Sequence, residues 1–140
     1  YASLSTCSHA EAGSSGRLVS RSHDPRNRLT NLVFPDGRGN QEWTYTADGL
    51  PATVTAYNTH VSDTGGTRVI TAYTYNKRRL LTGESVSQPN WYTWSLGYAY
   101  DALGNLSHQT YPTGLVVDYA PNALGQATKA GTYASGAQYY

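Results

Sequence analysis

Tyr98-Ala99-Tyr100-Asp101-Ala102-Leu103-Gly104-Asn105-Leu106, continued by Tyr111-Pro112-Thr113-Gly114, is the stretch from which the fold is read. Just upstream, Tyr92, Trp94, Leu96, Tyr98 and Tyr100 fall on one face, and Thr93, Ser95, Gly97 and Ala99 on the other. A period of two is the mark of a strand that buries one side. Asp101 and Gly104 bracket a turn, because Asp bonds its neighbouring backbone and Gly accepts a positive φ. The expected order is strand, tight turn, strand, second tight turn.

The same unit recurs along the chain. With Gly104 as anchor, equivalent positions are Gly16, Asn27, Gly49, Arg79 and Gly125. Three residues before these anchors, in chain order, stand Gly13, Asp24, Thr46, Asn76, Asp101 and Asn122; two after them stand Leu18, Leu29, Pro51, Leu81, Leu106 and Ala127. Six before the last four anchors the residue is aromatic each time: Trp43, Tyr73, Tyr98 and Tyr119. A second turn, Pro-x-Gly, lies ten residues beyond its anchor in two copies, Pro35-Asp36-Gly37 after Asn27 and Pro112-Thr113-Gly114 after Gly104. Pro presets φ for such a turn and Gly permits its exit. Anchor spacings of 22 (27 to 49), 30 (49 to 79), 25 (79 to 104) and 21 (104 to 125) set a base unit near 21, lengthened by loop insertions.

Read outward, the chain is all-β, built of successive antiparallel hairpins. Residues 1–16 are irregular or a degenerate copy, and 17–140 form the hairpin region. The expected strands are Arg17–Ser22, Leu29–Phe34, Gln41–Thr46, Pro51–Tyr57, Arg68–Tyr75, Leu80–Ser87, Trp91–Tyr100, Asn105–Tyr111, Leu115–Ala120 and Gln126–Ala130. Asn58–Thr67, with Asp63, Gly65 and Gly66, reads as a long hairpin tip. No segment carries a 3.6-residue period, and Thr, Tyr, Gly and Pro depress helix throughout. Gln138-Tyr139-Tyr140 matches the residues before a Pro-x-Gly turn, so the natural protein is expected to continue past Tyr140. The absence of Met likewise leads to the expectation of a fragment or processed product.

Composition narrows the function classes. Thirteen Tyr against one Phe imply thin sheets with little deep core, since Tyr covers apolar surface while its hydroxyl stays hydrated. A net charge of +1, with only 14% charged residues, dispersed, gives no electrostatic reason for a nucleic-acid or membrane-surface partner. No apolar run approaches the roughly 18 residues of a membrane-spanning helix. Cys7 is the only cysteine and cannot form an internal disulfide.

Tyr-x-Tyr-Asp-x-x-Gly-x-Leu at Tyr98–Leu106, followed by Tyr-Pro-x-Gly at Tyr111–Gly114, resembles the YD repeat of bacterial RHS proteins. The same repeat builds the shells of Tc-toxin C components and of animal teneurins. The resemblance covers about Arg17 to Tyr140. Asn27 and Arg79 depart from it at the turn glycine, and Pro121-Asn122 departs from Tyr-Asp. The resemblance implies a sheet of hairpins that spirals into a hollow shell. It further implies a secreted or cell-surface bacterial parent, whose shell encloses a C-terminal toxin released by a self-cleaving domain. This chain would be part of the wall, with the rest of the parent chain and the toxin as its partners. Nothing in it matches the cleavage or toxin domains, so neither activity is carried over.

The residues singled out divide in two. Asp24, Pro35, Gly37, Gly49, Asp101, Gly104, Pro112, Gly114 and Gly125 are read as structural turn residues rather than a ligand-binding row. Trp91 and Tyr92, near the Gln88-Pro89-Asn90 loop, are the candidate ligand contacts. The aromatics Trp43, Tyr45, Tyr73, Tyr75, Trp94, Tyr98 and Tyr100 are read as a ladder that packs neighbouring hairpins. His23 replaces the repeat Tyr and is expected to pack; Lys77-Arg78-Arg79 is expected to be a solvated turn. His9, His23, His60 and His108 have no metal-ligand spacing. No catalytic residue, metal ligand or cofactor is assigned, and the chain is read as a non-enzyme. Three alternatives stay open: a carbohydrate- or cell-surface-binding adhesin, a polysaccharide hydrolase with two convergent carboxyls, and self-association through strand edges.

Overall fold

The computed structural model describes residues 18–35, 37–57 and 68–132. It contains ten strands: β1 (Ser20–His23), β2 (Leu29–Val33), β3 (Gln41–Tyr45), β4 (Pro51–Tyr57), β5 (Arg68–Tyr75), β6 (Leu81–Gln88), β7 (Tyr92–Tyr100), β8 (Leu106–Thr110), β9 (Val116–Asp118) and β10 (Gly131–Thr132). The described residues contain no helix, and the ten strands form one open antiparallel sheet in strict chain order. Every strand pairs with its sequence neighbour, so each connection is a hairpin. The all-β hairpin architecture expected from the repeat is therefore present.

Two compact units divide this chain. One contains the residues up to Ala72 together with Val86–Thr93; the other contains Tyr73–Ser85 and the residues from Trp94 onward. In the first, β3 and β4 pair from Gln41↔Ala56 to Thr44↔Thr53, then shift to Tyr45↔Pro51. The β1–β2 ladder shifts at the same place, from Ser22↔Asn31 to His23↔Leu29. In the second unit β7 and β8 do so again, from Ala99↔His108 to Tyr100↔Leu106. Each shift leaves one extra residue three places after the anchor: Thr30, Ala52 and Ser107. A bulge of this kind bends the strand and increases its twist.

Burial is shallow. Tyr57, 6% exposed, is the one buried apolar side chain among the described residues, and Asn40, 2% exposed, is the buried polar one. Tyr57 Oη donates to Glu42 Oε2 at 2.7 Å. That hydrogen bond, with burial second, raises the phenol above its ordinary value. Asn40 closes the wide loop after β2: its Oδ1 accepts the Phe34 N–H at 2.7 Å. Its carbonyl takes the Tyr57 N–H at 2.9 Å, so the β3–β4 pairing extends beyond the strands.

Three expectations need correction. Gln126–Ala130 is not a strand: Ala127 makes an isolated bridge to Pro121, and β10 lies further on. Ala120 takes φ +37° there, and the Thr128 and Lys129 N–H groups both turn to the Tyr119 carbonyl. His23 is exposed rather than packed. Trp94 is 63% exposed and so is not part of a packed ladder. The β7 pairing with β8 begins only at Gly97, which leaves the first half of β7 without that neighbour. The expected features of residues 1–17, Asp36, Asn58–Thr67 and 133–140 lie outside the described residues.

Candidate functional site

The recurring element of the repeat is its turns. Five of them share one geometry. The N–H of the first turn residue donates to the carbonyl of the fifth at 2.8–3.0 Å: Asp24 to Arg28, Thr46 to Leu50, Asn76 to Leu80, Asp101 to Asn105, Asn122 to Gln126. The N–H of the fourth returns to the carbonyl of the first at 2.8–3.1 Å. That fourth residue is the anchor, and it has positive φ in all five: Asn27 60°, Gly49 88°, Arg79 65°, Gly104 94° and Gly125 78°. A type I turn closed by a left-handed residue is a common three-residue hairpin.

The first residue also caps its own turn. Asp24, Asn76, Asp101 and Asn122 each accept, on Oδ1, the N–H of the third residue at 2.9 Å and of the fifth at 2.8–3.0 Å. Thr46 Oγ1 accepts from Leu50 N–H at 3.1 Å. For the two aspartates this holds the carboxyl below its ordinary range. At Asp24 the Arg28 side-chain hydrogen bond comes first and the backbone N–H groups next; at Asp101 the Asn105 N–H leads.

The Pro-x-Gly turns vary this theme. Tyr111 N–H donates to Leu115 O at 2.8 Å and Gly114 N–H to Tyr111 O at 2.9 Å, with Gly114 at φ +82°. Pro112 thus sits in the same geometry as the Asp turns. Pro35 lies in a wider loop, where Gly37 N–H donates to Phe34 O at 3.0 Å and Asn40 supplies the missing acceptor.

Consecutive turns are coupled, within each compact unit, by a set of contacts that the sequence does not reveal. Tyr45 Oη, four residues before Gly49, donates to the Leu29 carbonyl of the previous repeat at 2.7 Å. Tyr100 Oη does the same to the Leu81 carbonyl at 2.8 Å. Arg26, one residue before its anchor, donates from Nη1 to the Ala47 carbonyl of the next turn at 2.8 Å. Arg78 donates from Nη1 to Ala102 O at 2.9 Å, the equivalent atom of its own next turn. Arg78 is therefore engaged, not merely solvated as expected.

The next anchor packs closely on the preceding turn. A Cβ on Gly49 would stand 3.4 Å from Arg28 Nη1, one on Gly104 2.9 Å from Arg78 Nη2, and one on Gly125 2.6 Å from Asn105 Oδ1. Arg28 also lies over the Tyr45 ring, 4.2 Å from its centroid, while its other atoms hold Asp24 (Nη2–Oδ2 2.6 Å). Glycine at 49, 104 and 125 satisfies the positive φ, and at 104 and 125 also the close approach of a neighbouring side chain.

Asp118 has local partners of its own. Lys129 Nζ stands 2.6 Å from Asp118 Oδ2, and His108 Nε2 3.9 Å from Asp118 Oδ1. Lys129 is the first cause of a lowered Asp118 pKa. Among the described residues there is no group of three or more His, Cys, Asp or Glu that could hold a metal, and no helix long and apolar enough to cross a membrane.

The candidate ligand contacts belong to another turn, the one between β6 and β7. Gln88-Pro89-Asn90-Trp91 is a β-turn closed by Trp91 N–H to Gln88 O at 3.0 Å, with Asn90 at φ +68°. Proline at its second place and a left-handed residue at its third define a type II turn. Trp91 is 77% exposed and Tyr92 37%. No protein-family model matches the chain, and no curated protein matches it.

Proposed function

We propose that this chain is a structural segment of a YD-repeat wall in a secreted or surface-exposed bacterial RHS-type protein, part of a shell around a C-terminal toxin, without catalysis of its own. One observation carries the reading: identical turns are locked to their successors by repeated Tyr–carbonyl and Arg–carbonyl hydrogen bonds. A wall must resist opening between hairpins, and these contacts join one hairpin to the next. The polar side chains support the same reading. Asp24, Asp101 and Asp118 serve turns or ion pairs, and Glu42 accepts from Tyr57.

The test uses the full-length parent protein. Limited proteolysis, followed by mass spectrometry of the C-terminal region, is compared between the wild type and an Arg78→Ala/Tyr100→Phe variant. The expected result is a C-terminal region protected in the wild type and cleaved earlier in the variant. A C-terminal region cut as fast in the native protein as in urea rejects the reading.

A further inference from the structure

Three tyrosine hydroxyls donate to a main-chain carbonyl or a carboxylate: Tyr45 to Leu29 O, Tyr100 to Leu81 O and Tyr57 to Glu42 Oε2. Tyr119 differs. Its Oη donates to Gln109 Oε1 at 3.0 Å, and it also hydrogen-bonds the Tyr111 side chain. A phenol carries one proton, which Tyr119 gives to Gln109, so Tyr111 is the donor of the pair. Register brings the two together. Gln109 of β8 stands opposite Val117 of β9, and Tyr111 and Tyr119 each follow two residues later, on the same face. The Tyr111 N–H to Leu115 O bond, 2.8 Å, and the Tyr119 N–H to Ser107 O bond, 2.9 Å, extend the ladder to both residues. Their side chains approach from opposite ends and meet at Gln109. Tyr98 of β7, opposite Gln109 on its other side, puts a third phenol on that face. Tyr111 is 36% exposed and Tyr119 half-buried.

We propose that Tyr111 and Tyr119 are a site of oxidative cross-linking, joined as dityrosine by a haem peroxidase and hydrogen peroxide. Each phenol gives up one electron and its O–H proton, leaving two phenoxyl radicals. The radicals couple carbon to carbon at the ring positions ortho to oxygen. The two ortho hydrogens then pass to the oxygens as the rings regain aromaticity. Hydrogen peroxide takes up the two electrons and two protons and leaves as two waters. Geometry selects this pair, because phenols already held side by side couple within one chain faster than phenols that must meet by diffusion. The exposed edge of Tyr111 gives the oxidant access. Composition helps, since a chain with no Met and a single Cys offers few sulfur groups to consume the oxidant first. The new bond closes residues 111–119 into a covalent loop around the Pro112-Thr113-Gly114 turn, tying the end of β8 to the end of β9. It uses none of the contacts that couple the repeats, so it stands independently of the wall reading.

The experiment treats the 140-residue chain, as a mixture of isotopically light and heavy protein, with a haem peroxidase and hydrogen peroxide. Digestion with trypsin and endoproteinase Asp-N separates the two tyrosines. Asp101–Val117 has Tyr111 as its only tyrosine, and Asp118–Lys129 has Tyr119 as its only one. The expected product is these two peptides joined, lighter by two hydrogens than their sum, fluorescent as dityrosine, with both halves of one isotope. In the folded chain it should exceed any other tyrosine pair about tenfold, and in urea it should fall to the level of the others. Tyr111→Phe should lose the product; if circular dichroism shows that variant misfolded, the wild-type yields with and without urea decide alone. Absence of the joined peptides overturns the proposal. So does a yield undiminished by urea, or a product of mixed isotopes, which marks coupling between chains.

Discussion

Gly114 and Gly125 have nearly the same φ, +82° and +78°, in different surroundings. Nothing lies within 4 Å of a Cβ built on Gly114, whereas Asn105 Oδ1 would lie 2.6 Å from one on Gly125. Gly114→Ala should therefore cost about 1–2 kcal/mol, the left-handed penalty alone. Gly125→Ala should cost more, and adding Asn105→Ala should recover the excess; urea denaturation of the four proteins measures the cycle. Aspartates at the turns give a second prediction. A carboxyl lowered in the fold stabilises fully above its unfolded value of about 3.9 and loses that contribution as pH falls through its folded value. The urea midpoint should hold from neutrality to about pH 5 and drop below about pH 4. Asp101→Asn should flatten the drop, because Asn76 and Asn122 fill the same position without charge. Much at this scale was legible in the sequence: register alone placed Asn27 and Arg79 at left-handed positions despite their side chains. The close approaches at Gly104 and Gly125 were not legible, because the approaching atoms, Arg78 Nη2 and Asn105 Oδ1, belong to the preceding turn.

Hairpins are joined through main-chain acceptors, so their contacts carry no sequence signature on the receiving side. The Leu29, Ala47, Leu81 and Ala102 carbonyls could be any residue's. This is why the Tyr of the repeat was read as a packing ring, while its hydroxyl also bonds the previous hairpin. Tyr100→Phe removes one such bond and should cost about 0.5–1.5 kcal/mol. Hydrogen exchange should quicken around Leu81 and Leu106 more than around β9. Arg78→Ala should loosen the turns at 79 and 104, and Arg78→Lys should restore only part of the loss, since one ammonium cannot reproduce the guanidinium fork. The start of β4 and the end of β5 were readable because strand-forming Thr, Val, Ile and Tyr run directly to the anchor turns at Thr46–Leu50 and Asn76–Leu80. Gln126–Ala130 misled because repeat register alone pointed to a strand there, and Ala120, at φ +37°, and Pro121, limited to one isolated bridge, break the ladder that would have used it.

At the largest scale, stability among the described residues rests on turns and half-buried rings rather than on a deep core. Tyr57 alone is a buried apolar side chain among the described residues. Calorimetry should therefore give a heat-capacity change of unfolding below the usual 12–15 cal/mol/K per residue. The excess of Tyr over Phe made this thinness readable from composition. The all-β class was readable from the repeat. The exposed turn at Trp91 was readable only as a break in that repeat.

The turn couplings also have a temporal side. Arg26 reaches forward 21 residues and Arg78 forward 24, while Tyr45 and Tyr100 reach back 16 and 19. A ribosome adds about 5–20 residues per second, so each hairpin finds its predecessor's carbonyls finished within a few seconds of its own emergence. Nascent chain can thus settle onto a template one hairpin at a time, with no distant partner to await.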